Sequence, residues 1–134
     1  MNPADDYHKV LRQSDYVVLA CPLTDETRGL LGAEEFHLMP SDAVLVNIAR
    51  GDVVDEDALI RAHQYRLIRG AGLDVFSTEP LPSDSPLWNL SNAVLTPHMA
   101  GSTPHKPTRW RDIIVANYEA LAEGNREGMV NRVV

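Results

Sequence analysis

At 134 residues, 44% of them hydrophobic, the chain has the length of one domain with a moderate core. Its 19 acidic and 12 basic residues leave a net charge of -7, which argues against nucleic acid or an anionic membrane as the main partner, since both call for a basic surface. No apolar run approaches the ~18 residues needed to span a bilayer, residues 1–6 lack the basic-then-apolar order of a signal peptide, and a single cysteine excludes an internal disulfide or a cysteine-rich metal cage, so a cytoplasmic location is expected.

Strand-like and helix-like stretches alternate along the chain. Residues 7–13 read as a short helix. Tyr16-Val17-Val18-Leu19-Ala20 is a continuous apolar run, as expected of a strand buried on both faces, and Cys21-Pro22-Leu23-Thr24 stops it. A helix over 33–39 breaks at Pro40. Residues 43–48 form the second strand. Asp55 then caps a helix over 56–65, with Ala58, Leu59 and Ala62 at helical spacing. The third strand spans 68–75.

A loop rich in proline and serine follows over 77–91, of the irregular kind that often carries function. Within it, Pro86-Leu87-Trp88 reads as an anchor that buries an aromatic. Residues 93–95 form a short fourth strand. Ser102-Thr103-Pro104 opens a long last helix through Ala122, ended by Gly124, with Ile113, Ile114, Tyr118 and Leu121 on its apolar side. Alternation of this kind predicts an α/β fold with a parallel sheet and helices on both faces.

Three polar residues stand where apolar runs end: Arg50 after the second strand, Glu79 beyond the third and His98 after the fourth. In an open parallel sheet the crevice beyond the carboxyl ends of the strands is where ligands bind. A guanidinium, a carboxylate and an imidazole gathered there can hold an anion, tune a proton and deliver it. Each also has a plainer reading: a surface ion-pair former, a loop acid and a satisfied loop histidine. Cys21 reads as a small buried hydrophobe, and Trp88 and Trp110 as core or interface anchors. His8, His37, His63 and His105 show no metal-ligand spacing, so no metal is expected.

Four stretches bear a specific likeness. The run from Met39 through Val44-Leu45-Val46-Asn47-Ile48-Ala49-Arg50-Gly51 to Asp55 resembles a signature of the D-isomer-specific 2-hydroxyacid dehydrogenases. Gly72-Leu73-Asp74-Val75-Phe76-Ser77-Thr78-Glu79-Pro80 and Thr96-Pro97-His98-Met99-Ala100-Gly101 do too, and so does the earlier segment from Ser14-Asp15 to Cys21-Pro22-Leu23-Thr24. The resemblance covers nearly the whole chain, with the motifs in order. It implies an oxidoreductase that moves a hydride between NAD or NADP and a small 2-oxo or 2-hydroxy acid, of the phosphoglycerate or hydroxypyruvate/glyoxylate type. It assigns Arg50 to the substrate carboxylate, His98 to proton transfer at the carbonyl oxygen and Glu79 to the imidazole. It places Asp74 near the nicotinamide carboxamide, Ala49, Ala100 and Gly101 against the cofactor through their backbone, and Cys21, Pro22 and Thr24 on its adenosine side. Ser77-Thr78 departs from the family, which often has an acidic residue there.

By the same resemblance, two parts of such enzymes are expected to be absent. No G-x-G-x-x-G turn follows a strand; Gly70-Ala71-Gly72 enters one instead. The substrate domain is the other. Residues 1–124 then read as the nicotinamide-side half of a Rossmann-like, doubly wound sheet with its long C-terminal helix. Residues 125–134 read as a tail returning to an absent domain. An expressed fragment, a truncated gene product and a piece of a split protein all fit this reading. An uncovered sheet edge invites pairing, so the chain is expected to be a homo-oligomer or to need an N-terminal portion, and to bind NAD or NADP weakly or not at all alone. A nucleotide-sensing interaction module and a remnant are the rival readings.

Overall fold

The structure is a computed structural model that describes residues 3–131, with side chains described from Tyr7 onward. It divides into two compact units, Met1–Ala100 and Gly101–Val134.

The first unit is α/β. Helix α1 (Pro3–Gln13) leads to strand β1 (Tyr16–Leu19), α2 (Ala33–Leu38), β2 (Val44–Asn47), α3 (Glu56–Gln64), β3 (Gly70–Leu73) and β4 (Ala93–Leu95). The four strands form one parallel sheet in the order β1-β2-β3-β4. The parallel sheet of the sequence pattern is therefore present, with strands a residue or two shorter at their ends. The starts of α2 and α3 have local causes. Asp55 accepts the Ala58 N–H at 2.9 Å and caps α3, as read from the sequence. Glu35 of α2 accepts the Gly32 N–H at 2.9 Å, and its other oxygen takes the Tyr7 hydroxyl and meets His8, both at 3.0 Å, tying α1 to α2.

Register puts Val17, Leu45, Ala71 and Ala93 on one face and Val18, Val46, Gly72 and Val94 on the other. The first face supplies the core: Leu45, Ala71 and Leu73 join Phe36 of α2 and Ala58, Leu59 and Ala62 of α3. On the second face Val18 is 58% and Val94 68% exposed, and Tyr16 on the same side of β1 is 64% exposed. The expectation that β1 is buried on both faces is thus corrected: a run of apolar residues encodes an affinity for cover on both sides, and here one side of that edge strand has it.

The loop after β3 holds a second correction. Ser85 accepts the Leu87 N–H and starts a short 3-10 turn, Pro86–Asn89. That turn drives Leu87, 1% exposed, into the core and leaves Trp88 55% exposed. The aliphatic neighbour anchors the loop in place of the aromatic.

The second unit consists of α4 (Lys106–Ala122) and a 3-10 turn, Arg126–Gly128. The helix starts later than Ser102-Thr103-Pro104 suggests. Thr103 accepts the His105 and Lys106 amides in a preceding turn, and the helix begins with Pro107 in its first turn, where a missing N–H is harmless. It ends as expected at Gly124, whose φ of 72° suits a residue without a Cβ. Asn117 accepts the Val130 N–H at 2.7 Å and donates to its carbonyl at 3.1 Å, holding the tail to the helix. Ile114, Tyr118 and Leu121 are exposed, and so is Trp110, at 59%. The last three residues of the tail expected to return to a substrate domain, 132–134, lie outside the described residues.

Candidate active site

The site is built where β2, β3 and β4 end. At the end of β2, Asn47 is buried and shapes the turn that presents Arg50. Its Oδ1 accepts the Ala49 N–H at 3.0 Å and its Nδ2 donates to the Arg50 carbonyl at 3.1 Å. Arg50 itself is exposed, and one guanidinium N–H donates to the Ala49 carbonyl at 2.6 Å. The next residue must be glycine for packing reasons. A methyl group on Gly51 would lie 2.0 Å from the Phe76 carbonyl and 2.4 Å from the Ser77 nitrogen. This close approach draws the Arg50 turn against the chain that leads to Glu79.

Asp74 follows β3 and governs the loop after β4. It is 4% exposed. One carboxylate oxygen accepts the Thr96 hydroxyl and the Met99 N–H, the latter at 2.8 Å; the other accepts the Ala100 N–H at 2.8 Å. The Asp74 carbonyl accepts the His98 N–H at 2.8 Å. Burial pushes this carboxyl up, but the hydrogen bonds from Thr96, Ala100 and Met99, with His98 nearby, outweigh burial and hold it below the usual carboxylate range. Between these anchors His98 has φ 50°, in the left-handed region that costs a residue with a Cβ about 1–2 kcal/mol. Asp74 thus staples a strained turn on both sides of the imidazole.

Glu79 completes the arrangement. Its Oε2 meets His98 Nδ1 at 2.7 Å, and its Oε1 accepts the Phe76 N–H at 3.0 Å. The His98 hydrogen bond, then the Phe76 amide, hold the Glu79 carboxyl below its usual range, and the Arg50 charge adds to this. With Nδ1–H donated to a carboxylate, His98 presents Nε2 for proton exchange. Glu79 and His98 are therefore directly paired, with Arg50 close enough to act on Glu79 through its charge.

The remaining sequence candidates are placed as follows. Ala49 is buried in the Asn47 turn. Cys21 is half-buried against the core. The Pro22 carbonyl accepts the Thr27 hydroxyl at 2.7 Å, and Thr24 caps the same turn through the Thr27 side chain, so both belong to the loop after β1. The Ala100 N–H is taken by Asp74, and Gly101 opens the second unit. Among the described residues no group of three His, Cys, Asp or Glu is placed to hold a metal, and no helix is long and apolar enough to cross a membrane. Beside Glu79 and His98 lies a cavity of about 600 Å³ with mostly apolar walls.

Asn47 and Gly51 shape the Arg50 turn, a role to which the sequence reading gave no weight. A polar amide closing an apolar strand, followed three residues later by Arg-Gly, was the signal available.

The NAD-binding domain of the D-isomer-specific 2-hydroxyacid dehydrogenases matches residues 2–100. The chain is 46% identical over 120 residues to glyoxylate/hydroxypyruvate reductase B of Escherichia fergusonii, covering 90% of this chain and 37% of that protein. It is 44% identical over 116 residues to glyoxylate reductase of Korarchaeum cryptofilum, covering 87% and 35%. The chain thus spans little more than a third of the length of these relatives. Among solved structures it is similar to a D-isomer-specific 2-hydroxyacid dehydrogenase from Xanthobacter autotrophicus Py2 in complex with NADPH and MES. There the TM-score is 0.84 and the identity 41%, over 97% of this chain and 52% of the other.

Proposed function

The chain belongs to the D-isomer-specific 2-hydroxyacid dehydrogenase family through its NAD-binding domain, and on that premise we propose that it provides the proton-transfer and carboxylate-binding side of a 2-oxo acid reductase. The observation that carries this reading is the Glu79–His98 pair at 2.7 Å, held beyond the ends of parallel strands with Arg50 beside it. The planar Arg50 guanidinium suits two parallel hydrogen bonds to a substrate carboxylate. His98 Nε2 gives a proton to the carbonyl oxygen in reduction and takes it back in oxidation, while Glu79 fixes the ring through Nδ1. When bound, a nicotinamide cofactor supplies the hydride.

The residues present fit one half of such a cofactor. Cys21, Pro22 and Thr24 follow β1, Ala49 follows β2 and Asp74 follows β3, and ligands of such sheets bind beyond the strand ends, which supports this reading. The pyrophosphate grip does not fit. Gly70-Ala71-Gly72 is β3 itself, with Gly70 packed so that a side chain would meet the Asn92 carbonyl oxygen at 2.6 Å. A strand interior offers no free amides to a phosphate. This supports the reading that the chain alone binds NAD or NADP weakly or not at all. β1 stands at one edge of the sheet, and an unpaired strand edge supports completion by a second copy or by an N-terminal portion.

The test is a chimaera in which residues 1–134 replace the matching segment of the Escherichia fergusonii reductase. The chimaera is expected to reduce a 2-oxo acid with NADH or NADPH, and His98→Ala to lower kcat by about 100-fold or more. A folded chimaera whose rate is indifferent to His98 overturns the proposal.

A further inference from the structure

Glu79 stands on a stretch of chain with little support of its own. Residues 77–80 are exposed, and among the described residues no hydrogen bond holds the Thr78 or Glu79 amide. The last amide held ahead of Glu79 is that of Ser77, and its partner comes from another element: Glu56 Oε2 accepts the Ser77 N–H at 3.2 Å. Glu56 is the first residue of α3. Asp55 before it caps the helix, which leaves the Glu56 carboxylate to reach toward the loop. Half-buried, Glu56 shares the lining of a small void with Asn47 and Gly51 of the Arg50 turn.

The Phe76–Ser77 peptide is thereby held on both edges. Its carbonyl packs on Gly51, and its N–H is taken by Glu56. A peptide unit is planar, so two fixed edges fix its plane. On the near side of that plane the Phe76 N–H supports Glu79 Oε1 at 3.0 Å, and Glu79 Oε2 in turn holds His98. A carboxylate in a first helical turn also meets the positive end of the helix dipole. Asp57, next along, shares that turn but accepts no bond from the loop among the described residues, which sets Glu56 apart. We propose that Glu56 is a positioning residue for the reaction: by holding the Ser77 amide it keeps Glu79 set against His98. The inference rests on the proposed function for the chemistry at His98 and adds to it a residue that acts through Glu79 without touching substrate.

The experiment follows Glu79 and His98 by NMR in the isotope-labelled 134-residue chain carrying Glu56→Ala, Glu56→Gln or Asp57→Ala. Glu56→Ala is expected to raise the Glu79 titration toward ordinary glutamate, because the Phe76 amide is one cause of its depression, and to shift the His98 ring nitrogens. Glu56→Gln keeps an acceptor for Ser77 and is expected to restore both signals. Asp57→Ala removes a neighbouring helix-end charge and is expected to leave them as in the wild-type chain. In the chimaera, Glu56→Ala is expected to lower kcat about tenfold, the effect of a small misplacement, with KM little changed. Wild-type signals at Glu79 and His98 in Glu56→Ala overturn the inference. Equal changes in Glu56→Gln or in Asp57→Ala also overturn it, since charge and not the bond would then be the cause. A kcat that answers to His98→Ala but not to Glu56→Ala overturns it too. A kcat indifferent to His98→Ala overturns the proposed function instead, and the Glu79 titration then still decides whether Glu56 holds the pair.

Discussion

Glu79 holds the His98 imidazole at 2.7 Å with one carboxylate oxygen while the Phe76 amide holds the other at 3.0 Å, so neither oxygen is left to pull the ring out of line. The His98 hydrogen bond is the first cause of the depressed Glu79 pKa, and the Phe76 amide the second. His98→Ala is therefore expected to move the Glu79 titration up toward ordinary glutamate, read from its carboxyl carbon by NMR. A carboxylate with a depressed folded pKa contributes stability above its unfolded pKa and loses it as pH falls through the folded value. Between pH 5 and pH 3, roughly the window below an ordinary glutamate, the wild-type chain should lose more stability than His98→Ala. A Glu79 titration indifferent to residue 98 would contradict the pairing.

Gly51 sets the distance between the Arg50 turn and the Glu79 loop. A methyl group 2.0 Å from the Phe76 carbonyl meets backbone, which cannot swing aside as a side chain would. Gly51→Ala is expected to cost about 1–3 kcal/mol, the usual cost of overpacking, and to move the amide resonances of Phe76 and Ser77. Chemical denaturation and an amide spectrum check both. A variant of unchanged stability and spectrum would show that the two segments do not touch.

The parallel sheet, the Asp55 cap and the Glu79–His98 pair were legible in the sequence, the first from alternating strand-like and helix-like stretches and the last from the family resemblance. What escaped has physical reasons. Asn47 sits in a strand pattern, and only the fold shows its amide bridging Ala49 N–H and the Arg50 carbonyl. Gly51 makes its contact with a chain segment 25 residues away, which no local pattern encodes. Leu87 and Trp88 exchange roles because a 3-10 turn of three residues per turn rotates the phase of the loop. The apolar run of β1 describes what the strand would bury, not what lies beside it.

Asp74 should behave as the support of the His98 turn. Asp74→Ala strips acceptors from the Met99 and Ala100 amides and from the Thr96 hydroxyl, leaving the left-handed His98 backbone held by main chain alone. The expected loss is about 1–3 kcal/mol, the cost of donors left unpaired. Hydrogen exchange at Met99 and Ala100 should accelerate more than at β3. Asp74→Asn keeps the shape but turns an amide N–H₂ toward a backbone donor, so it should restore only part of the loss. Unchanged exchange at both amides in Asp74→Ala would remove Asp74 from this role.

His63 gives the first unit a pH dependence opposite to that of a histidine held in a salt bridge, whose raised pKa would cost stability as pH rises. It is 5% exposed, and its Nδ1 meets Asn92 Oδ1 at 2.8 Å. Asn92 Nδ2 donates to the Arg69 carbonyl, which fixes the oxygen toward the ring and makes Nδ1 the protonated nitrogen. Nε2 is buried without a partner among the described residues, so a second proton there would charge a nitrogen with no acceptor among them. Burial accordingly lowers the His63 pKa, against the hydrogen bond to Asn92, which raises it. As pH falls below the ordinary histidine value near 6.5, the unfolded chain takes up a proton that the folded chain refuses, and stability drops until the folded group also titrates. Linkage limits this slope to about 1.4 kcal/mol per pH unit for one proton. His63→Asn keeps a donor near the Nδ1 position and removes the titration. Melts from pH 7.5 down to pH 5, roughly bracketing that value, should therefore show a shallower fall in Tm for His63→Asn than for the wild-type chain. Parallel curves would mean that His63 reaches water or a partner on protonation, and the buried orphan nitrogen would have no consequence.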